Sequence, residues 1–142
     1  MVIALGNDHG GLELANTIRD YLNENFHQFI DFGTFSSESV HYPVYAKKVV
    51  EEIIRGRADY GILICGTGIG ISIAANKWPE IRCGLCHNET TARLTRQHND
   101  ANILAMGGRI IGPQLGLDIV KTFLNTEFEG GRHQERINMI ER

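Results

Sequence analysis

Tyr60-Gly61-Ile62-Leu63-Ile64-Cys65-Gly66-Thr67-Gly68-Ile69-Gly70 is the stretch on which the fold turns. Its first six residues are a short run that is apolar on both faces of an extended chain. Such a run suits a parallel strand covered by helices on each side. The glycines at 66, 68 and 70 let the backbone turn sharply and approach a ligand closely. A short helix is then expected through Ile71, Ile73, Ala74 and Ala75.

The same alternation extends in both directions. Residues 2–5 read as a first strand that ends at Gly6-Asn7-Asp8-His9-Gly10-Gly11. Leu12, Ala15, Ile18, Tyr21 and Leu22 then recur at helical spacing. Phe29-Ile30-Asp31-Phe32 is a second strand closed by Gly33, and residues 36–43 are a polar loop. Residues 44–55 are amphipathic, with Val44, Ala46, Val49, Val50, Ile53 and Ile54 as the stripe and Gly56 as the stop. Beyond the central stretch, a fourth strand is expected near residues 82–86. A helix follows over 89–97, with Asn88 as N-cap. Ile103-Leu104-Ala105-Met106 is a fifth strand, closed by Gly107-Gly108. Gly112-Pro113 opens a helix over 115–124, and Gly130-Gly131 precedes a final helix over 133–140.

Strand and helix in strict alternation predict an α/β fold: a parallel sheet with right-handed crossovers and helices on both faces. A chain of 142 residues suits one domain, taken as 1–142, and it has no repeat or linker. Ligands in such sheets bind beyond the carboxyl ends of the strands. Three chemically loaded loops lie at that edge: Asp8-His9, Cys65 to Gly70, and Gly107-Gly108-Arg109.

Composition narrows the class. Hydrophobic residues are 42% and charged residues 22%, as in ordinary globular proteins. A net charge of −3 lacks the basic footprint of a nucleic-acid binder. A small anionic ligand would need a local basic cluster. No segment has the length of a membrane span, and Met1-Val2-Ile3-Ala4-Leu5-Gly6 is too short and uncharged for a signal peptide. The expectation is a reduced, cytoplasmic protein. Cys83 and Cys86 form a C-x-x-C followed by His87, which admits metal, redox or haem-attachment readings. Against them, no second pair completes a zinc site, and the run from Ile81 to Cys86 alternates like a buried strand. No plausible metal-ligand cluster is visible along the chain.

The turn after Cys65 directs several backbone N–H groups at one spot, at the start of a helix, which suits an anion. A dinucleotide fingerprint would place glycine at 71, where Ile71 stands, and would follow the first strand. A thiol at such a turn is expected to favour its thiolate, able to act as base or nucleophile. The alternative is a small buried hydrophobe. Asp8 can bind a ligand or cap the next helix, and His9 can bind or be solvated. Arg132 and Arg136 share a helix face, which suits a phosphate or a solvated surface. His98 can be an acid or base near neutrality, or a helix-terminal charge.

Together these residues resemble the B-type ribose-5-phosphate isomerases and their galactose-6-phosphate isomerase relatives. The likeness spans nearly the whole chain. It rests on Asp8-His9, Gly33-Thr34, Tyr42-Pro43, Ile62 to Ser72, Arg96-Gln97-His98-Asn99-Asp100 and Glu129-Gly130-Gly131-Arg132-His133. It implies a Rossmann-like three-layer α/β/α sandwich with a five-stranded parallel sheet. It implies interconversion of ribose 5-phosphate and ribulose 5-phosphate without metal or cofactor. Cys65 would move a proton between C2 and C1. Thr67 and the amides of Gly66, Gly68, Ile69 and Gly70 would stabilise the enediolate. His98 would open the sugar ring. Asp8 and Asn99 would hold hydroxyls, and His9, Arg109, Arg132 and Arg136 the phosphate. The resemblance also implies a homodimer, with tetramers left open, in which His98, Asn99 and Arg109 meet Cys65 across the interface.

His41 departs from the family pattern before Tyr42-Pro43, which bears on sugar preference. The nearest rival is a hexose-phosphate isomerase for allose or galactose 6-phosphate. A non-catalytic flavodoxin-like phosphate-binding module is the rival from another class.

Overall fold

The structure, a computed structural model, describes residues 1–25 and 28–141. Five parallel strands form one sheet: β1 (Val2–Asn7), β2 (Gln28–Asp31), β3 (Tyr60–Cys65), β4 (Cys83–Leu85) and β5 (Ile103–Gly107). Their spatial order is β2-β1-β3-β5-β4. Six helices connect and cover them: α1 (Leu12–Glu24), α2 (Tyr42–Ile54), α3 (Ile69–Ala75), α4 (Glu89–Asn99), α5 (Pro113–Leu124) and α6 (Arg132–Ile140).

Two apolar clusters, one on each face of the sheet, make this a three-layer α/β/α sandwich. On one face Ile3, Leu5, Ile62, Ile64 and Leu104 pack against Leu14 and Ile18 of α1, Ala92 of α4 and Phe123 of α5. On the other, Ala4, Leu63, Cys65 and Ile103 pack against Val49 of α2 and Ile71 of α3. Neighbours in β1 and β3 fall in opposite clusters because successive strand residues face opposite ways. The unbroken apolar run of β3 is therefore buried on both faces, as its sequence predicts.

Element ends differ from the sequence reading for local reasons. β1 continues through Gly6 and Asn7 because these residues pair with Leu63 and Ile64 of β3. α2 begins at Tyr42 because Pro43 fits the first turn, where no helical N–H bond is lost. β4 shrinks to three residues, since it pairs only with β5 and forms a sheet edge. Asn88 caps α4 as expected, in a reciprocal capping box with Thr91. Among the described residues, no helix is long and apolar enough to cross a membrane.

The C-x-x-C motif is split by strand alternation. Cys86 lies in the cluster under α4 and α5, whereas Cys83 packs against the cluster on the opposite face. Burial pushes the thiol of Cys86 up to about 11 and that of Cys83 higher still. Both are protonated at neutral pH and act as core residues.

Candidate active site

The carboxyl ends of β1, β3 and β5 lie side by side, with Asn7 opposite Ile64 and Cys65 opposite Gly107. β1 and β3 flank the point where the chain's crossovers change direction, the place where open α/β sheets leave a crevice. The three loops predicted to carry chemistry therefore converge. Their backbones touch: Asp8 N–H donates to Ile64 O, Gly108 N–H to Cys65 O and Arg109 N–H to Gly66 O. A Cβ on Gly10 would stand 3.0 Å from the backbone of Gly66, so the β1 loop can approach the turn this closely only without a side chain.

The turn itself is set by Gly68, whose φ of +79° is costly for a residue with a Cβ. Its N–H donates to Cys65 Sγ at 3.1 Å. Cys65 is only 4% exposed, so the sulfur sits in a dry wall of the turn with one backbone donor fixed upon it. Thr67 Oγ1 accepts from Ile69 N–H at 3.1 Å, which fixes the exposed crest. The Tyr42 ring stands over Gly70: a Cβ there would lie 2.6 Å from Tyr42 Cζ. Tyr42 thus borders the turn, although sequence reasoning did not count it among the site residues. Its place in the quoted Tyr42-Pro43 motif was the available signal.

Both readings of Asp8 have content. Its Oδ1 accepts from Gly11 N–H at 3.1 Å and caps the short turn before α1. The residue also sits, 6% exposed, in the loop that touches the Cys65 turn. His9 Nδ1 accepts from Val40 N–H at 3.2 Å. In the neutral ring this places the proton on Nε2, leaving it a donor.

Arg109 corrects an expectation. Its guanidinium lies against the turn of its own chain, with Nη1 3.3 Å from where a Cβ on Gly66 would stand. No second chain is needed to bring it to Cys65, because β5 is the direct neighbour of β3.

The remaining residues gather elsewhere. α4 leaves the carboxyl end of β4 and returns to the amino end of β5, so its last turn lies at the opposite edge of the sheet. Asn99 O there accepts from Arg82 Nε, next to the start of β4. The six residues of β3 separate this edge from Cys65 by about 20 Å at roughly 3.3 Å per residue. His98 and Asn99 therefore cannot reach Cys65 within one chain. α6 packs on α4 and brings Arg132 and Arg136 to the same place. The rings of His98 and His133 stack at 4.2 Å with 13° between their planes. Arg132 and Arg136, like Arg109, are exposed and make no ion pair among the described residues. By contrast Arg19, Arg57, Arg82 and Arg96 are all paired with carboxylates.

A second group of titratable side chains gathers at this edge. His98, Glu129 and His133 hold ligand atoms within 4.8 Å of one another. Residues 98 and 129 are too far apart in sequence for any motif to pair them. The packing of α6 on α4 and a bond from Glu129 N–H to Gln97 O bring them together. Burial, with the positive charges of His98, Arg132 and Arg136, holds His133 below the usual histidine range against the pull of Glu129.

The parallel α/β sheet carries a thiol with a fixed amide donor at its crevice, the place where enzymes of this architecture bind small ligands. Comparison with known proteins narrows this. The Ribose/Galactose Isomerase family model matches residues 3–140, and the chain belongs to that family. It is a sugar-phosphate isomerase. It is 49% identical to the ribose-5-phosphate isomerase B of Escherichia coli over 138 residues, covering 97% of this chain and 93% of the relative. It is 38% identical to a galactose-6-phosphate isomerase subunit of Clostridium acetobutylicum over 137 residues, covering 96% and 79%. The solved ribose-5-phosphate isomerase B of Clostridium thermocellum superposes with a TM-score of 0.97 at 54% identity, covering 99% of this chain and 95% of that one.

Proposed function

We propose that residues 1–142 form a single isomerase domain that interconverts ribose 5-phosphate and ribulose 5-phosphate through an enediolate. The single observation that carries the chemistry is Cys65 Sγ at the crevice with Gly68 N–H fixed upon it. The relatives named for ribose 5-phosphate support the sugar.

An aldose–ketose isomerase needs one base that serves two adjacent carbons, a polarised oxygen, and a remote anchor. Cys65 takes the proton from C2 and returns it to C1. The amides of Gly66 and Gly70, with Thr67, meet the enediolate oxygen, while those of Gly68 and Ile69, held by Cys65 Sγ and Thr67 Oγ1, fix the turn, so the donors need not rearrange as charge develops. Asp8 and Asn99 hold hydroxyls. His98 transfers the proton that opens the furanose. His9, Arg109, Arg132 and Arg136 bind the phosphate, whose binding energy holds the reacting carbon at the sulfur. No step calls on a metal or cofactor.

The two clusters are complementary halves. Cys65, Asp8, His9 and Arg109 stand at one edge of the sheet, while His98, Asn99, Arg132 and Arg136 stand at the other. A homodimer in which one edge of each copy meets the opposite edge of its partner assembles two whole sites. Exposed Val44, Ile69 and Ile73 beside the turn supply apolar surface for such a contact.

Rates with ribose 5-phosphate, allose 6-phosphate and galactose 6-phosphate test the substrate. The highest kcat/KM is expected for the pentose phosphate, and preference for either hexose phosphate overturns that choice. A chain that binds all three but converts none would instead be the flavodoxin-like binding module. His41, directly before the Tyr42 that covers Gly70, is the position from which a different sugar preference would arise.

Arg132→Ala and Arg136→Ala are each expected to weaken substrate binding by about 1.5–3 kcal/mol, the scale of a hydrogen bond to a charged group. In steady-state kinetics this is a KM increase of roughly 10- to 150-fold. An unchanged KM removes that arginine from the phosphate site.

A further inference from the structure

We propose that Arg19 is a positioning residue of the substrate site: through the Asn7 amide it holds Asp8 and its loop in the geometry that meets the sugar. This rests on the role given to Asp8 above.

Arg19 stands on α1, outside every loop assigned to the site, and its side chain is only 11% exposed. A guanidinium this dry is costly unless its donors are met. Nε donates to Asp31 Oδ2 at 2.5 Å and Nη2 to Asp31 Oδ1 at 3.1 Å, a two-pronged pair at the end of β2. That pair alone would pin α1 to the sheet. Nη2 also donates to Asn7 Oδ1 at 2.6 Å, and this bond leads into the site.

Asn7 is fully buried and directly precedes Asp8. Its Nδ2 donates to Asp8 O at 2.9 Å and to Thr34 O at 3.1 Å. A side-chain amide has one accepting end and one donating end. Turned over, it would set its NH2 group against the guanidinium and its oxygen against two carbonyls. Arg19 therefore decides which end meets Asp8. Short bonds run from α1 through Asn7 to the Asp8 carbonyl, and the same amide holds the loop after β2. Main-chain bonds from Asn7 N–H to Gly33 O and from Thr34 N–H to Asn7 O tie that loop to Asn7 as well. The Phe35 ring covers the outer side, with its centroid 4.9 Å from the guanidinium carbon. A lysine could keep a charge opposite Asp31, but not the fork that spans Asp31 and Asn7.

The test is a double-mutant cycle in steady-state kinetics with ribose 5-phosphate, or with the hexose phosphate should that prove the better substrate. Asn7→Ala and Arg19→Lys are each placed in the native chain and in Asp8→Ala, which keeps the carbonyl that Asn7 holds. In the native chain each should lower kcat/KM at least ~10-fold, because small misplacements of a binding group are costly. In Asp8→Ala the further loss should be about threefold or less, since the group being positioned is already gone. A residue that only stabilises the fold would cost the same factor in both backgrounds, and that result overturns the proposal. Near-native kcat/KM in either single variant does so too. Circular dichroism checks that each variant is folded at the assay temperature. Should Asn7→Ala fail to fold, Arg19→Lys, which keeps an ion pair with Asp31, carries the cycle alone. Undiminished turnover in Asp8→Ala overturns the role of Asp8 and the proposal with it. Impaired Asp8→Ala beside unimpaired Asn7→Ala and Arg19→Lys overturns the positioning alone.

Discussion

Cys65→Ala is expected to abolish isomerisation while sugar-phosphate binding survives. The substitution removes the proposed base and little else. Alanine fits the wall that the thiol occupies, and the residue is already part of the core against α2 and α3. The Gly68 N–H loses its sulfur acceptor, at a cost of about 1 kcal/mol, too little to unfold the chain. A positioned acid or base contributes roughly 10²- to 10⁴-fold, so kcat should fall by about that factor or more. The groups proposed for the phosphate and hydroxyls are untouched, so affinity measured by calorimetry should change little. This split, with kcat lost and binding kept, marks a residue that acts on the reacting carbon. Full activity in the variant would show that another group moves the proton.

Mixing two inactive variants should restore activity. Cys65→Ala and His98→Asn each damage one member of every site in a homodimer. In a mixed dimer, one site receives both lesions and the other receives neither. Random reassortment makes half of the dimers mixed, so about a quarter of all sites become native, by the symmetry of a two-fold interface. The measurement is turnover after co-expression or co-refolding of the two variants, with each alone as control. The effect is large because the background is near zero. No recovery would mean that Cys65 and His98 serve the same site within one chain, or that His98 is no part of it. The separation of about 20 Å along β3 argues for recovery.

Much of the fold could be read directly from residue patterns. β3 was recognisable because a buried parallel strand has a distinctive apolar run, and the helix that follows because glycines make its turn. α1 and α2 showed their periodic stripes, although Leu14 joins the core unforeseen and Val44 and Ile54 stay half exposed. The shortness of β4 was not legible, because its run promises more pairing than an edge strand receives. The order of β5 between β3 and β4 was equally hidden, since it is a choice among crossovers that local sequence does not encode.

The site divides in the same way. The sequence by itself marked the residues proposed to carry chemistry and the loops that hold them, because a glycine turn and a strand-end thiol are local features. It also marked the family, through ordered motifs along nearly the whole chain. Only the tertiary structure decided how those residues are grouped. It placed Arg109 with Cys65 because β5 neighbours β3. It carried His98 and Asn99 to the far edge because a crossover helix must return to the start of the next strand. It also stacked His133 on His98 and set Glu129 beside them, through the packing of α6 on α4. Contacts between residues so distant in sequence depend on where whole elements pack, and no spacing along the chain records that.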